Sequence, residues 1–511
     1  MPLDPNKMVS DSHRRFKSAN WIWSGTDPGG RLPGVGGVGH YWDGVGQSLL
    51  FAPADSALAA IGISGIETRY SITARFLFPL INGLVLLLSW HALRELGFKW
   101  RICSLGTLVT LACTTLTFHF QNNQENPLML AFALIAVIGF LRSDESGSLG
   151  WLNLACAAQA ASISIRITNL AYVLPLFGLP MLSRLFDGSR PWNWRHEVHQ
   201  ASRMARVALP WLLVAFAVDR WWQWARFGTL QGTYFSVFQK WATTHFDNLP
   251  AGFPFSVPFM DGLKGQLFSP AKGVVFYEPL VVTSLAFWLL RKSESTPRTK
   301  ALVFVGCIAT LGTAVGLARF YYWDSEPNWG PRYLATPAHV LELALAAWLV
   351  ANLNPGTWLQ RVLMLGALCL VVVQISGLWW PAYHENMAGA IRKGPEYVKT
   401  SSELWSRGLP TVNPELHNEW LLIDRPIGVA KDIARQIALP KEQWLAGDPP
   451  MRMIWITGTL NSLGTTTRWG VRLVWLAGLA VVLWLARQST LTPGSKENAT
   501  PSGTAMDGAS S

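Results

Sequence analysis

The sequence predicts an all-α polytopic membrane protein with about eleven spanning helices. Mostly apolar segments of bilayer-spanning length recur from about residue 70 to the C-terminal region. Half of the 511 residues are hydrophobic and only 14% are charged, a balance that favours one large helical membrane domain. The 27 tryptophans exceed soluble usage and suit aromatic belts at two membrane interfaces.

Residues 1–70 read as a polar first loop. Within it, 48–63 (SLLFAPADSALAAIGI) is apolar but short and carries Pro53 and Asp55, which suits a helix lying along the interface better than a span. Spans are expected near 72–93, 102–118, 127–141, 150–166, 169–185, 207–222, 273–290, 301–318, 333–350 and 361–379, which make up a membrane core over 71–379. The stretch 380–468 is polar and long enough for a small domain, with one helix between Pro395 and Gly408 and a second around Val429 to Ala438. A last span at 469–486, within a segment 469–487, precedes a tail at 488–511 that is rich in Ser, Thr, Gly and Pro and has no apolar periodicity, so disorder is expected there.

Alternate short loops carry the Lys and Arg residues: Arg94, Lys99 and Arg101, then Arg184 to Arg206, then Arg291 to Lys300, and finally Arg487. The positive-inside rule puts these loops and the C-terminus in the cytoplasm, and the larger loops 1–70, 119–126, 223–272, 319–332 and 380–468 outside it. A first loop on the outer side implies a missing N-terminal helix, since residues 1–20 are polar and charged. The net charge of +11 is spread over interhelical loops with no stripe that would track a phosphate backbone, so no nucleic-acid partner is expected. Cys103, Cys113, Cys156, Cys307 and Cys369 all fall inside apolar segments, which excludes a disulfide framework in the loops and a CxxC metal pattern.

Ionisable groups at the edge of a span are costly and mark functional candidates. Arg166 ends the fourth expected span, Lys272 opens the seventh and Arg332 opens the ninth, all on the outer side. Three cations at one depth could neutralise the phosphate of a lipid carrier, or each could snorkel to headgroups. Acidic residues expected on that side are Asp11, Asp27, Asp43, Asp55, Glu125, Asp324 and Glu326, any of which could accept a proton or bind a divalent cation. Glu125 precedes Asn126 and Pro127 at the start of a span, where plain capping is the competing reading. Glu278 and Glu342 lie inside expected spans and read as structural pairings with other helices, while His119, His339 and His384 show no paired spacing for a metal.

Several stretches stand out by their order along the chain: Ser10-Asp11-Ser12-His13-Arg14-Arg15, Gly46-Gln47-Ser48-Leu49-Leu50 with Pro53-Ala54-Asp55, and Glu125-Asn126-Pro127-Leu128. Further along come Arg166-Ile167-Thr168-Asn169, Arg226-Phe227-Gly228-Thr229, Leu267-Phe268-Ser269-Pro270 with Lys272-Gly273, and Trp329-Gly330-Pro331-Arg332-Tyr333-Leu334. Together, over most of residues 9–380, they resemble the GT-C glycosyltransferases, in particular the bacterial membrane enzymes related to protein O-mannosyltransferases and to the aminoarabinose transferase of lipid A. The resemblance implies that Asp11, in the first outer loop, acts at the catalytic centre; Ser12 follows it where such enzymes often pair two acids.

The expectation is then a transferase of the bacterial inner membrane that moves a sugar from a polyprenyl-phosphate donor to an extracytoplasmic acceptor, lipid, glycan or protein. Asp11 is the expected base, with Glu125 assisting, and Lys272, Arg332 and Arg166 bind the donor phosphate. No cofactor is demanded, and a divalent cation is compatible with the acidic residues. Alternatives are a transporter or flippase of lipid-linked sugars, for which an internal repeat is lacking, or an oligosaccharide ligase or polymerase using Arg392, His384 and Arg407 in the long loop.

Overall fold

The computed structural model describes residues 11–120, 125–188, 193–245, 252–268, 273–278, 280–282, 285, 289, 295–320 and 332–352. Lys272, the expected spans at 361–379 and 469–486, the segment 380–468 and the tail at 488–511 lie outside the described residues. So do Asp324, Glu326 and residues 329–331.

The described residues fold almost entirely as helices. Two open the chain, α1 (Asp11–Ser24) and α2 (Val45–Ala60), joined by a loop with a two-stranded antiparallel ladder that sets Leu32 opposite His40. There follow α3 (Ile66–Glu95), α4 (Trp100–Cys113), α5 (Leu116–His119), α6 (Asn126–Ser146), α7 (Leu149–Ile165), α8 (Leu170–Phe177), α9 (Leu179–Asp187) and α10 (Trp194–Phe227). The last are α11 (Tyr234–His245), α12 (Phe259–Phe268), α13 (Val274–Tyr277), α14 (Pro297–Leu317) and α15 (Ala335–Asn352). Among the described residues, five stretches are long and apolar enough to cross a membrane: α3, α6, the run 167–187 that carries α8 and α9, α10 and α14. The shorter apolar helices α4 and α7 and the 18-residue α15 accompany them, each where a span is expected.

The middle of the bundle is α15, in which every residue from Ala335 to Leu349 is buried. A helix that is apolar all round has no face to give to solvent and takes the centre. It packs on α4 and α14. At Gly106 of α4 an added Cβ would lie 2.9 Å from the Ala347 Cα, so the missing side chain lets the two backbones approach. In this central helix only His339 and Glu342 bring strongly polar side chains inside.

The structure corrects three expectations. Residues 11–24, expected as loop, form α1, with Ser12, Arg15, Phe16, Ala19 and Asn20 all buried. The polar residues that make this stretch read as loop are consumed in pairing. Asn20 donates to Asp55 at 2.8 Å, His13 meets Glu67 at 2.6 Å, and Arg15 donates to Gln47 at 2.6 Å. The apolar helix expected at 48–63 is present as α2, and it turns Ser48, Phe51 and Asp55 inward at three- to four-residue spacing. There Asp55 is fully buried and accepts from Asn20, from Trp23 at 2.8 Å and from Arg69 of α3 at 2.6 Å, tying three helices at one carboxylate.

The other two corrections are breaks. The span expected at 102–118 stops at Cys113, where Thr114 turns extended (φ −127°, ψ 169°), and resumes as the one-turn α5. Thr114 ties its hydroxyl to the Thr110 carbonyl at 2.6 Å and receives the Leu116 amide at 3.2 Å, so side-chain bonding replaces helix bonding there. The span expected at 273–290 opens as the four-residue α13 and leaves helical geometry at Glu278 (φ −121°, ψ 52°). Glu278 precedes Pro279, whose ring disfavours helical backbone in the residue before it.

The two ends of the bundle differ in chemistry. One end carries ion pairs between loop-proximal residues: Arg184 with Glu197 at 2.6 Å, Arg142 with Glu95 at 2.8 Å, and Arg298 with Glu145 at 3.3 Å. At the other end the start of α6, the end of α7 and the lead into α15 converge with α1, and there the basic residues point inward.

Candidate functional site

Glu125 stands at the N-terminus of α6, where Pro127 fixes the first helical turn. Its side chain makes no capping hydrogen bond, which sets aside the capping reading. The fully buried carboxylate instead receives three guanidinium groups. Arg15 Nη1 donates to Oε2 at 2.6 Å, Arg332 Nη2 reaches Oε1 and Oε2 at 3.0 and 3.1 Å, and Arg166 Nη2 donates to Oε1.

Each arginine is aimed by the end of an element. Arg166 is the residue at which α7 stops, in extended backbone (φ −153°, ψ 118°), and its guanidinium lies 4.8 Å over the Tyr333 ring. Arg332 precedes α15, and its carbonyl accepts from Asn126 Nδ2 at 3.0 Å, so the residue after Glu125 also holds the backbone of its partner. Arg15 lies one turn into α1 and reaches Asp43 at 3.5 Å as well as Gln47 and Glu125. Among the described residues, three cationic side chains thus face two carboxylates, Glu125 and Asp43.

Burial opposes ionisation of Glu125, but the charges of Arg15, Arg166 and Arg332, with the Arg15 hydrogen bond, outweigh it and hold the carboxyl well below its ordinary range. A carboxylate so stabilised is a poor proton acceptor. The same contacts let it order the three arginines.

Of the expected site residues, Glu125, Arg166 and Arg332 meet at one point, whereas Lys272 lies outside the described residues. Asp11 begins α1 one turn before Arg15, and its side chain lies outside the described residues. Arg15 was not among the candidates. The signal was the 3–4 spacing of Ser12, Arg15, Phe16, Ala19 and Asn20, which would place Arg15 on the buried face of a helix.

The first loop is docked so that Asp43 can reach Arg15. Trp222 Nε1 and Arg226 Nη1 donate to the Asp43 carbonyl, each at 3.2 Å, and Arg226 also donates to the Tyr41 carbonyl. His40 fills the seam between Trp21, at 4.6 Å between ring centroids, and Phe227, at 5.8 Å. Burial, and next the Arg226 charge, lower its pKa from 6.5 to about 4, against a smaller opposing effect of Asp27. Between those values the unfolded chain binds a proton that the folded loop refuses. Stability from this docking is full above pH 6.5 and falls as the pH drops toward 4. In His40→Gln the acid-side slope of the thermal midpoint over that window should flatten; equal slopes in the two proteins would remove His40 from the docking.

No family model and no curated protein matches the chain. Among solved structures, the crystal structure of the Archaeoglobus fulgidus oligosaccharyltransferase in the apo form matches at a TM-score of 0.37 and 14% identity, over 78% of this chain. The chain spans 56% of the length of that structure, and the fold assignment rests on the helices themselves.

Proposed function

We propose that this protein is a membrane glycosyltransferase that takes a sugar from a polyprenyl-phosphate donor and passes it to an acceptor hydroxyl outside the cytoplasm. The observation that carries the reading is the convergence of Arg15, Arg166 and Arg332 on Glu125 at the end of the bundle. Such a buried cationic cluster, rimmed by apolar helices, suits a lipid whose headgroup is an anion. Snorkelling to headgroups, the competing reading of Arg166 and Arg332, does not lead guanidiniums inward to one buried carboxylate.

In the reaction, the acceptor oxygen attacks the anomeric carbon as the carbon–oxygen bond to phosphate breaks, and the bonding pair leaves with the phosphate oxygen. The acceptor proton passes to Asp11, and direct displacement inverts the anomeric centre. Negative charge grows on the departing lipid phosphate, so fixed cations lower the barrier by more than they favour ground-state binding. Arg332 and Arg166 are assigned to that oxygen, with Lys272 as a third cation and Arg15 added to the set. Glu125 keeps the guanidiniums in place before the substrate arrives, which spares reorganisation during the reaction.

The test is transfer from a radiolabelled polyprenyl-phosphate sugar pool by purified protein in lipid vesicles. Arg332→Ala should slow transfer by a factor of about ten or more, given ~1.5–3 kcal/mol for a charged hydrogen bond. An unchanged rate would count against the phosphate role. Movement of labelled lipid across the bilayer without sugar transfer would replace the enzyme reading by a transport one.

A further inference from the structure

A second buried polar cluster lies deeper in the bundle and plays no part in the reaction above. Glu278, where α13 breaks, meets His339 and Glu342 of α15, and donor atoms of the three lie within 4.8 Å of one another. Glu278 and Glu342 are 0% exposed and His339 is 2% exposed. His339 and Glu342 are three residues apart on one helix face, at about 6 and 10 Å along the axis from the start of α15.

We infer that Glu278, His339 and Glu342 form a binding site for one divalent transition-metal ion such as Zn²⁺ or Mn²⁺. The first argument is charge. Two carboxylates buried side by side are costly unless a shared proton or a cation joins them, and among the described residues neither has a Lys or Arg within ion-pair distance. A divalent ion cancels both charges, and the imidazole adds a neutral nitrogen ligand suited to a first-row metal.

The second argument is an unsatisfied group. Among the described residues no N–H or hydroxyl donor reaches either oxygen of Glu342, whose one hydrogen-bonding neighbour is the Glu278 carboxyl, itself a metal-ligating group. A native interior rarely leaves a buried carboxylate in that state.

The third argument is geometry. His339 Nε2 lies 3.3 Å from Glu278 Oε1, which matches the roughly 3.3 Å edge between donors of a tetrahedral ion with ~2.0–2.2 Å bonds. Glu278 is also oriented from outside the cluster, as metal-binding carboxylates are. Its Oε2 accepts the Thr115 amide at 3.1 Å and its Oε1 accepts the Thr115 hydroxyl, which sits 3.1 Å from His339 Nε2. Both helix breaks described above serve this point, since Thr115 opens α5 and Glu278 ends α13. The ion joins Glu278, and through it Thr115, to the central helix, and the inference stands independently of the glycosyl-transfer reading.

The experiment is metal content by mass spectrometry on tag-free protein, stripped with chelator, equilibrated with Zn²⁺ or Mn²⁺ and washed. Wild type should retain about one equivalent per chain. Glu342→Gln, which preserves shape and removes one charge, and His339→Ala should each lower affinity at least tenfold, while Arg332→Ala, in the other cluster, should bind as wild type does. Zn²⁺ should raise the thermal midpoint of wild type and leave that of Glu342→Gln unmoved. Wild-type protein that retains no metal overturns the inference whether or not the variants fold. So does equal retention by wild type and Glu342→Gln. A Glu342→Gln protein more stable than wild type and indifferent to Zn²⁺ would mean that the two carboxylates share a proton instead.

Discussion

Glu125→Ala should lose roughly 3–5 kcal/mol of stability, the range for removing one partner of a buried ionic cluster. The loss comes from what is left behind. Arg15 and Arg332 are almost fully buried, and both direct charge-assisted hydrogen bonds at this carboxylate. Without it, like charges face one another with much of their water removed. Arg166→Ala should cost less, since its side chain is 14% exposed and Glu125 keeps two other partners. If the cluster is an anion site, inorganic phosphate should restore part of the stability of Glu125→Ala and add less to wild type, where the carboxylate already occupies the arginines. Denaturation midpoints in detergent, with and without phosphate, decide the matter. A variant as stable as wild type would refute the energetic account, and a destabilised variant indifferent to phosphate would refute the anion site. The pH dependence has a definite sign. A depressed carboxyl contributes fully above its unfolded value of 4.5, and that contribution is lost only as the pH falls well below it.

Asp11→Asn should reduce sugar transfer by roughly 10²–10⁴-fold, the range for removing a general base, while the folded protein persists. Asparagine keeps the size and loses the proton-accepting charge. In kinetic terms kcat should fall with little change in KM, because the base acts on the acceptor proton in the transition state and holds neither substrate in the ground state. Arg332→Ala should behave differently and weaken donor binding as well as turnover, since its charge attracts the phosphate before and during bond breaking. Full activity in Asp11→Asn would move the base elsewhere and leave the anion site standing. A destabilised Asp11→Asn protein would assign Asp11 to the folding of α1.

Much of the helical layout was legible in the sequence. The spans expected at 72–93, 127–141, 150–166, 301–318 and 333–350 coincide with α3, α6, α7, α14 and α15 to within several residues at their ends. Breaks were less legible. Thr114 and Glu278 sit in runs whose average polarity is low, and a window average does not register one threonine hydroxyl or one residue before proline. Helix α1 was hidden for the opposite reason. Its polar residues counted toward a loop, although each of Arg15, His13 and Asn20 has a partner on another element.

Sequence by itself determined where the chain is apolar for long enough to cross a bilayer, and which charges stand at the edges of those runs. Both are local properties, set by neighbours along the chain and by the cost of polar groups in hydrocarbon. Only the tertiary structure decided that Arg15 and Arg332, 110 and 207 residues from Glu125, bond the same carboxylate, and that Glu278 faces His339 and Glu342. Such meetings depend on how helices pack across the bundle. Contacts between residues so far apart leave no periodicity in one chain, because the spacing that aligns them is set by helix ends and crossings rather than by sequence intervals.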